Sequence, residues 1–491
     1  MPKASATAGA SRKNLGQFFT PADVAQTLVQ WGVRRSTDRL LDPSCGDGGF
    51  LASHARSVGI ELDEEFAKAA CQRAPGALVH GGDFFQWAAA TPERFEVVAG
   101  NPPFIRYQNF TGATRKVALE SASRLGAKFS ALTSSWAPFL VVAASLLRPG
   151  GRLSFVVPAE IGHATYAPPL LRALCRNFRR VQLLAFREKL FPQLSEDCWL
   201  LYCDGFGQAS DGIHLNAFER FRPSARPPTS DRFVSLTEWE EIGERLRPFL
   251  LPAAGLELYR ELTKSRSVRR FGDLASASIG YVTGANDFFH LRRSEAKRWG
   301  ITWHYLKVSI RKSDQLCGDT VDFRAVEKWM ARDEPVLLLD LKQARNLPSS
   351  VRDYLATEAA QTASSSYKCR NRDPWYAVPD VTVPDAFLSV MSGKRPLLAA
   401  NDAGCVCTNS LHAVRYRSKE SQAALDFGWA SPLAQLGAEI QGHPLGGGVL
   451  KLEPREVARV PIPITKLPVN RAEESVLQEC LEAARSWRHC A

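Results

Sequence analysis

The residues best suited to chemistry are the four that follow an apolar run ending at Gly100: Asn101, Pro102, Pro103 and Phe104. Two consecutive prolines can neither continue a β-ladder nor enter a helix interior, so the backbone is predicted to be stiff and extended. Such a backbone fixes an amide oxygen and a proline carbonyl beside an aromatic ring. Two acceptors and a ring suit a planar amino or amide group. The alternative is a strand-ending turn with Phe104 in the core.

A buried strand must position these residues. Residues 95–98 are apolar apart from Glu96 and are predicted to end a parallel strand. Open α/β sheets bind their ligands at the carboxyl ends of the strands. The sequence therefore predicts a ligand site directly after this strand.

A glycine-rich turn after an earlier strand predicts a second part of the same site. Apolar residues lead into Asp42, and Gly46 and Gly48 follow just before a predicted helix. Glycines at a helix N-terminus allow a ligand to approach the backbone closely. The spacing lacks the third glycine of a dinucleotide fingerprint, so the turn alone could be purely structural.

Two acidic residues end the next two predicted strands. Glu61 is positioned to accept hydrogen bonds from both ribose hydroxyls of a nucleoside, and Asp83 from the exocyclic amino group of its adenine. Either could instead be an ordinary helix cap or loop residue. Together with the glycine turn, they predict a doubly wound α/β unit with a nucleoside ligand.

Composition limits the class of protein. The 491 residues carry a formal charge of +11, which favours a polyanionic partner. The 11 cysteines form no Cys-x-x-Cys pair, so we predict no metal site and reduced thiols in a cytoplasmic protein. No apolar run is long enough to span a membrane.

The chain is predicted to hold two domains. The shift in composition near residue 205 and the later mixture of short strands and loops set their limits. The predicted segments are a disordered basic arm (1–13), a catalytic domain (14–245) with a surface excursion or linker (207–232), and a second domain (246–491).

In their order and spacing, these motifs resemble the gamma-class, TaqI-type adenine-specific DNA methyltransferases. The matching segments are residues 17–21, 42–48, 61, 83, 101–104 and 190–193. The resemblance implies a mostly parallel, Rossmann-like class I methyltransferase sheet followed by a mixed α+β target-recognition domain. The C-terminal half resembles the family only loosely, through residues 271–274 and 456–461.

The resemblance also implies S-adenosyl-L-methionine as the methyl donor. Its implied contacts are Thr20 at the methionine end, Asp42 and Gly46 on the floor of that pocket, Glu61 on the ribose, Asp83 on the adenine amino group and Phe139 against the adenine.

For the target, the resemblance implies an adenine flipped out of duplex DNA. Asn101 and the Pro102 carbonyl would accept hydrogen bonds from its amino group, and Phe104 and Phe191 would sandwich the base. The type member has Tyr where this chain has Phe104, a change that preserves stacking and removes a hydroxyl.

The implied partners are duplex DNA and a separately encoded restriction endonuclease. Residues 367–376 are the best candidate for reading bases, through Arg370, Arg372 and Trp375. The alternative is a loop anchored by its tryptophan, with arginines on phosphates. Two other functions stay open: methylation of ribosomal RNA or a protein glutamine, and a catalytically silent DNA-binding subunit.

Overall fold

A computed structural model describes residues 20–194, 196–342, 346–445 and 447–490. The predicted basic arm and residues 17–19 lie outside these ranges. The chain divides into two compact units between Leu251 and Pro252. Arg247–Leu250, a 3₁₀ helix, therefore lies in the first unit, although we placed it after the boundary at 245. The Leu246 N–H donates to the Gly162 carbonyl (2.8 Å), which ties this segment to the first unit.

The first unit contains one nine-stranded sheet. Its strands are β1 Leu40–Asp42, β2 Ser57–Glu61, β3 Leu78–Gly81, β4 Phe95–Gly100, β5 Leu147–Pro158, β6 Phe178–Phe186, β7 Cys198–Phe206, β8 Gly212–Phe218 and β9 Arg232–Ser235. The order across the sheet is β3-β2-β1-β4-β5-β7-β6-β8-β9. The pairs from β3 to β5 are parallel, and β7 runs antiparallel between β5 and β6. This topology confirms the predicted α/β class with a mostly parallel sheet.

Helices connect these strands. They are α1 Ala22–Gly32, α2 Glu64–Arg73, α3 Phe84–Ala90, α4 Gly112–Arg124, α5 Trp136–Ala144, α6 Ala167–Asn177 and α7 Leu236–Glu241, with 3₁₀ turns at Leu51–Ser53 and Ala159–Gly162. The Asp63 carboxylate caps α2, and all nine residues of α5 are buried. A helix that is apolar on every side is suited to a position within the core.

The prediction of a surface excursion or linker over 207–232 is wrong for residues 212–218. These residues form β8, which pairs in parallel with β6. Ile213 and Leu215 are buried on one face of this strand. The proline- and arginine-rich composition that suggested a linker belongs to the connection after it, and this composition concealed a short alternating strand.

The second unit mixes helices with small sheets. Its strands are β10 Val268–Arg270, β11 Ala275–Ile279, β12 His290–Leu291, β13 Leu306–Ile310, β14 Thr320–Val321, β15 Leu337–Leu339, β16 Ala386–Ser389, β17 Met391–Ser392, β18 Leu398–Asn401, β19 Val406–Cys407, β20 Leu411–Tyr416, β21 His443–Leu445, β22 Val449–Lys451 and β23 Pro461–Pro463. The largest sheet has the order β11-β20-β16-β18-β14.

The second unit also contains helices between these strands. They are α8 Ala253–Thr263, α9 Phe271–Leu274, α10 Asn286–Phe289, α11 Arg293–Arg298, α12 Phe323–Ala331, α13 Ser349–Leu355, α14 Glu358–Ser364, α15 Tyr367–Arg370, α16 Lys419–Gly428, α17 Pro432–Gln441, α18 Pro454–Val457 and α19 Arg471–Ser486. The described residues therefore form a mixed α+β arrangement.

Candidate active site

A cavity of about 450 Å³ opens at the carboxyl ends of the parallel strands of the first unit. Its walls come from the segments after β1, β2, β3 and β4, which the sheet order brings side by side. They include Pro43, Ser44, Gly46, Glu61, Leu62, Gly82, Asp83, Asn101 and Pro103. Cavities of this size hold small-molecule ligands or cofactors.

The Glu61 carboxylate is held by the main chain on both sides. Its Oε2 accepts the Gly46 N–H (2.8 Å) and its Oε1 accepts the Asp63 N–H (2.9 Å). Gly46 and Gly48 adopt φ of +53° and +85°, a conformation that glycine tolerates best. A Cβ on Gly48 would lie 3.0 Å from the Ala70 Cα. The turn therefore depends on glycine and presents a rigidly oriented carboxylate to the cavity.

Asp83 lines the cavity and also caps a helix. Its Oδ1 accepts the Gln86 N–H (3.0 Å) at the start of α3. The Thr114 hydroxyl of α4 donates to its Oδ2 (3.3 Å). Oδ1 of Asp83 therefore acts as a helix cap, as the alternative interpretation expects. Oδ2 instead contacts the Thr114 hydroxyl in the cavity wall.

Apolar groups form further parts of the cavity wall. Phe139 of α5 packs on Phe84, with ring centroids 4.5 Å apart. Leu62 lines the cavity with 64% of its surface exposed, although it follows a buried strand directly. We did not predict Leu62, Phe110 or Thr114, although the position of Leu62 after the acidic strand end was a usable signal.

The segment after β4 is held by two serine hydroxyls. The Ser44 hydroxyl donates to the Asn101 main-chain carbonyl (3.0 Å), and the Ser135 hydroxyl donates to the Pro103 carbonyl (2.6 Å). Ser135 Oγ also accepts the Ile105 N–H (3.1 Å). Both serines line the cavity. The sequence offered no clear signal for Ser135, because a serine before a helix is typical of an N-cap.

Asp42 lies buried next to the glycine turn. Its Oδ1 accepts the Ser44 N–H (3.2 Å), and no described residue forms a hydrogen bond to Oδ2. Burial raises the pKa of this carboxyl to about 8, against the effect of that hydrogen bond. Within the described part of the chain, neither Asp42 nor Thr20 is among the residues lining the cavity. Their predicted contacts with the methionine end stay predictions.

A family model described as "Type II methyltransferase M.Eco57I, C-terminal domain" matches residues 244–489, half of the chain. The chain belongs to this family. Two further models match the first unit: "Eco57I restriction-modification methylase" over residues 59–191 and "N-6 DNA Methylase" over residues 4–70. The chain is therefore a DNA methyltransferase of the N6-adenine methylase family.

Curated relatives match most of this methyltransferase. The type II methyltransferase M.AccI of Acinetobacter calcoaceticus is 19% identical over 91% of this chain and 85% of its own length. M.XamI of Xanthomonas campestris pv. amaranthicola is 23% identical over the same shares. The chain is also similar to the crystal structure of the type IIG restriction endonuclease BpuSI. The alignment covers 98% of this chain and 67% of the BpuSI chain, with 15% sequence identity and a TM-score of 0.45.

The two aromatic residues predicted to sandwich the target base differ in accessibility. Phe104 is partly buried and packs against the core cluster that contains Phe191. Phe191 is only 1% exposed. A base can stack on Phe191 only if the surrounding segment moves, a condition that the sequence does not reveal.

The structure assigns two of the three DNA-binding candidates of this methyltransferase to internal packing. Arg372 donates to the carbonyls of Val282 and Thr283, each at 2.6 Å. Trp375 lies against Phe288, with ring centroids 5.6 Å apart. These contacts favour the tryptophan-anchored loop over base reading by Arg372 and Trp375. Arg370 is exposed.

Within the described ranges, no helix has the length and apolar character needed to cross a membrane. Likewise, no group of three or more His, Cys, Asp or Glu side chains in those ranges could hold a metal ion.

Proposed function

We propose that this methyltransferase transfers the methyl group of S-adenosyl-L-methionine to the N6 amino group of an adenine flipped out of duplex DNA. The observation that carries the proposal is the position of Asn101, which lines the same cavity as Glu61 and Asp83. We further propose that it protects DNA from a separately encoded restriction endonuclease. Assignment to the gamma-class is part of the same proposal.

The volume of the cavity and the hydrogen-bond acceptors in its wall suit the proposed cofactor. Glu61 presents a fixed carboxylate suited to ribose hydroxyls, and Asp83 an oxygen suited to an adenine amino group. Phe139 and Leu62 provide apolar surface for the purine. When bound, S-adenosylmethionine supplies an electrophilic methyl group.

The chemistry of the target follows from Asn101 and the Pro102 carbonyl. The adenine amino group is a poor nucleophile because its lone pair is delocalised into the ring. Two acceptors that engage both N–H bonds draw the nitrogen out of conjugation and stabilise the positive charge that develops on it. Holding the group in place lowers the barrier further, so no strong base or covalent intermediate is required.

An adenine inside a duplex cannot reach these acceptors, so the target base must leave the stack. Phe104 lies two residues after Pro102 and offers a partly buried ring for stacking. The net charge of +11 supports binding to the phosphate backbone. Arg370, which is exposed, is the remaining candidate for DNA contact among the three that we predicted.

The test is transfer of labelled methyl to unmethylated duplex DNA, ribosomal RNA and release factor in parallel. We expect N6-methyladenine in DNA alone. Asn101→Ala should lower the turnover at least about 100-fold while cofactor affinity stays within about twofold, because Asn101 acts on the target. Label in RNA or protein would overturn the DNA proposal. Label at cytosine would overturn the adenine assignment.

A further inference from the structure

The segment from Asn101 to Ile105 has an unusual need for external support. Pro102 and Pro103 carry no N–H, so their carbonyls are the only polar main-chain groups they offer. A strand partner cannot hold them through a full ladder. Within the segment, the Ile105 N–H donates to the Pro103 carbonyl (3.0 Å), and further donors come from elsewhere in the fold.

Two serine hydroxyls from other parts of the fold donate to two different carbonyls of the segment. Ser44, in the glycine-rich turn after β1, donates to the Asn101 carbonyl (3.0 Å). Ser135, before α5, donates to the Pro103 carbonyl (2.6 Å). These bonds engage the carbonyls on either side of Pro102, and neither hydroxyl donates to the Pro102 carbonyl itself. That carbonyl is the acceptor that the proposed function assigns to the target.

Ser135 forms a three-point contact with the segment. Besides donating to Pro103, its Oγ accepts the Ile105 N–H (3.1 Å), and its own N–H donates to the Ile105 carbonyl (3.0 Å). Ser135 occupies the N-cap position of α5, yet in the described helix its hydroxyl accepts no N–H of the first turn. The hydroxyl is therefore directed to the segment instead of its own helix.

The N-terminal end of α5 is itself fixed. The Trp136 Nε1–H donates to Glu160 (2.7 Å), and the Tyr166 hydroxyl donates to the same Glu160 oxygen. Ser135 is 1% exposed. Because the helix end is anchored, the buried Ser135 has a fixed position, and its hydrogen bonds can hold the residues that it contacts in a fixed position as well.

We propose that Ser44 and Ser135 are positioning residues for methyl transfer. Their hydroxyls set the direction of the Asn101 side chain and of the Pro102 carbonyl, so they act on the rate of the chemical step and not on cofactor binding. This inference rests on the proposed function. It adds two residues that touch neither the cofactor adenine nor the target base in that proposal.

The test uses the full chain and compares Ser44→Ala and Ser135→Ala with Ser145→Ala. Ser145 follows the C-terminal end of α5. Its hydroxyl also donates to a main-chain carbonyl, that of Val142 (2.6 Å). We expect each of the first two variants to lower the single-turnover rate by about 10- to 100-fold, the scale of a misplaced reacting group. Their KM for DNA and their affinity for S-adenosylhomocysteine should stay within about twofold, and Ser145→Ala should keep the wild-type rate.

Ser44→Thr keeps the hydroxyl at a half-buried position and should restore most of the rate that Ser44→Ala loses. Unchanged rates in both alanine variants would overturn the inference, as would a loss of cofactor affinity that matches the loss of rate. These outcomes can be interpreted only when the wild type methylates adenine in DNA and Asn101→Ala abolishes that activity. If the wild type itself does not methylate adenine in DNA, the proposed function fails instead.

Discussion

The protonation state of Asp42, a buried residue of the first unit, should affect both the stability of the protein and its binding of ligand. The carboxyl lies buried beside the cavity-lining Ser44, and burial raises its pKa to about 8. The group is therefore mostly protonated at pH 7 in the free protein. In an unfolded chain its pKa would be about 3.9, so the folded state binds the extra proton between these values. The free energy of unfolding should consequently fall as the pH rises from about 4 to about 8.

We predict that affinity for S-adenosylmethionine increases with pH up to about 8 and then levels off. A cationic ligand near Asp42 favours the carboxylate, so binding releases a proton, and the affinity can rise by at most about tenfold per pH unit. Calorimetry from pH 6 to 9 should show this dependence weakened in Asp42→Asn. S-adenosylhomocysteine, which lacks the sulfonium charge, is the control. Identical pH profiles for the wild type and the variant would contradict the prediction.

At the scale of single elements, the turn after β1 provides a matched pair of substitutions. Gly48 has φ of +85°, and a Cβ there would lie 3.0 Å from the Ala70 Cα. At Gly49 the nearest atom would be 3.7 Å away. Gly48→Ala should lower the free energy of unfolding by about 1–2 kcal/mol or more, since it adds both strain and a backbone contact. Gly49→Ala should stay within about 0.5 kcal/mol, as measured by urea denaturation.

The segment around Phe191 must move if this residue stacks on a flipped base. The ring is 1% exposed and belongs to the core cluster that includes Leu28 and Val97. An exposed ion pair between Arg106 and Glu196 (2.8 Å) joins this segment to the one that follows Phe104. Because such pairs contribute only about 1 kcal/mol or less, this pair does not prevent movement.

Phe191→Leu separates the core role of this side chain from its proposed stacking role. We expect a loss of about 1–2 kcal/mol in the free energy of unfolding, because most of the buried volume remains. Phe191→Ala should cost about 3–5 kcal/mol. With 2-aminopurine at the target position, Phe191→Leu should reduce the fluorescence increase on binding. A full increase in a folded variant would show that Phe191 does not hold the flipped base.

The arrangement of Glu61, Asp83 and Asn101 could be predicted from the sequence, because each follows an apolar run and the carboxyl ends of parallel strands align. The burial of Phe191 could not be predicted, since it depends on packing against residues distant in sequence. The role of Ser135 was equally inaccessible, because a serine before a helix is expected to cap it. β8 was missed because its alternation spans only seven residues between polar stretches.

At the scale of the whole molecule, the net charge of +11 predicts that the affinity for DNA depends strongly on the salt concentration. Each neutralised phosphate contributes about −0.9 to the slope of log affinity against log salt concentration. We expect a steep negative slope for a duplex of about 25 base pairs, measured by fluorescence anisotropy between about 50 and 200 mM salt. The affinity for S-adenosylhomocysteine should change little over this range. A slope near zero for DNA would contradict electrostatic binding by this chain.

Arg370→Gln then distinguishes the two roles left open for this exposed arginine. If Arg370 contacts a phosphate, the slope should become less negative by about one, and all duplexes should be weakened equally. If it reads a base, the variant should instead lose about 1–3 kcal/mol on the recognition sequence and discriminate less at one position. Because Arg372 and Trp375 are engaged in the packing of the same loop, we expect the phosphate result. Loss of discrimination at a single base pair would reverse that assignment.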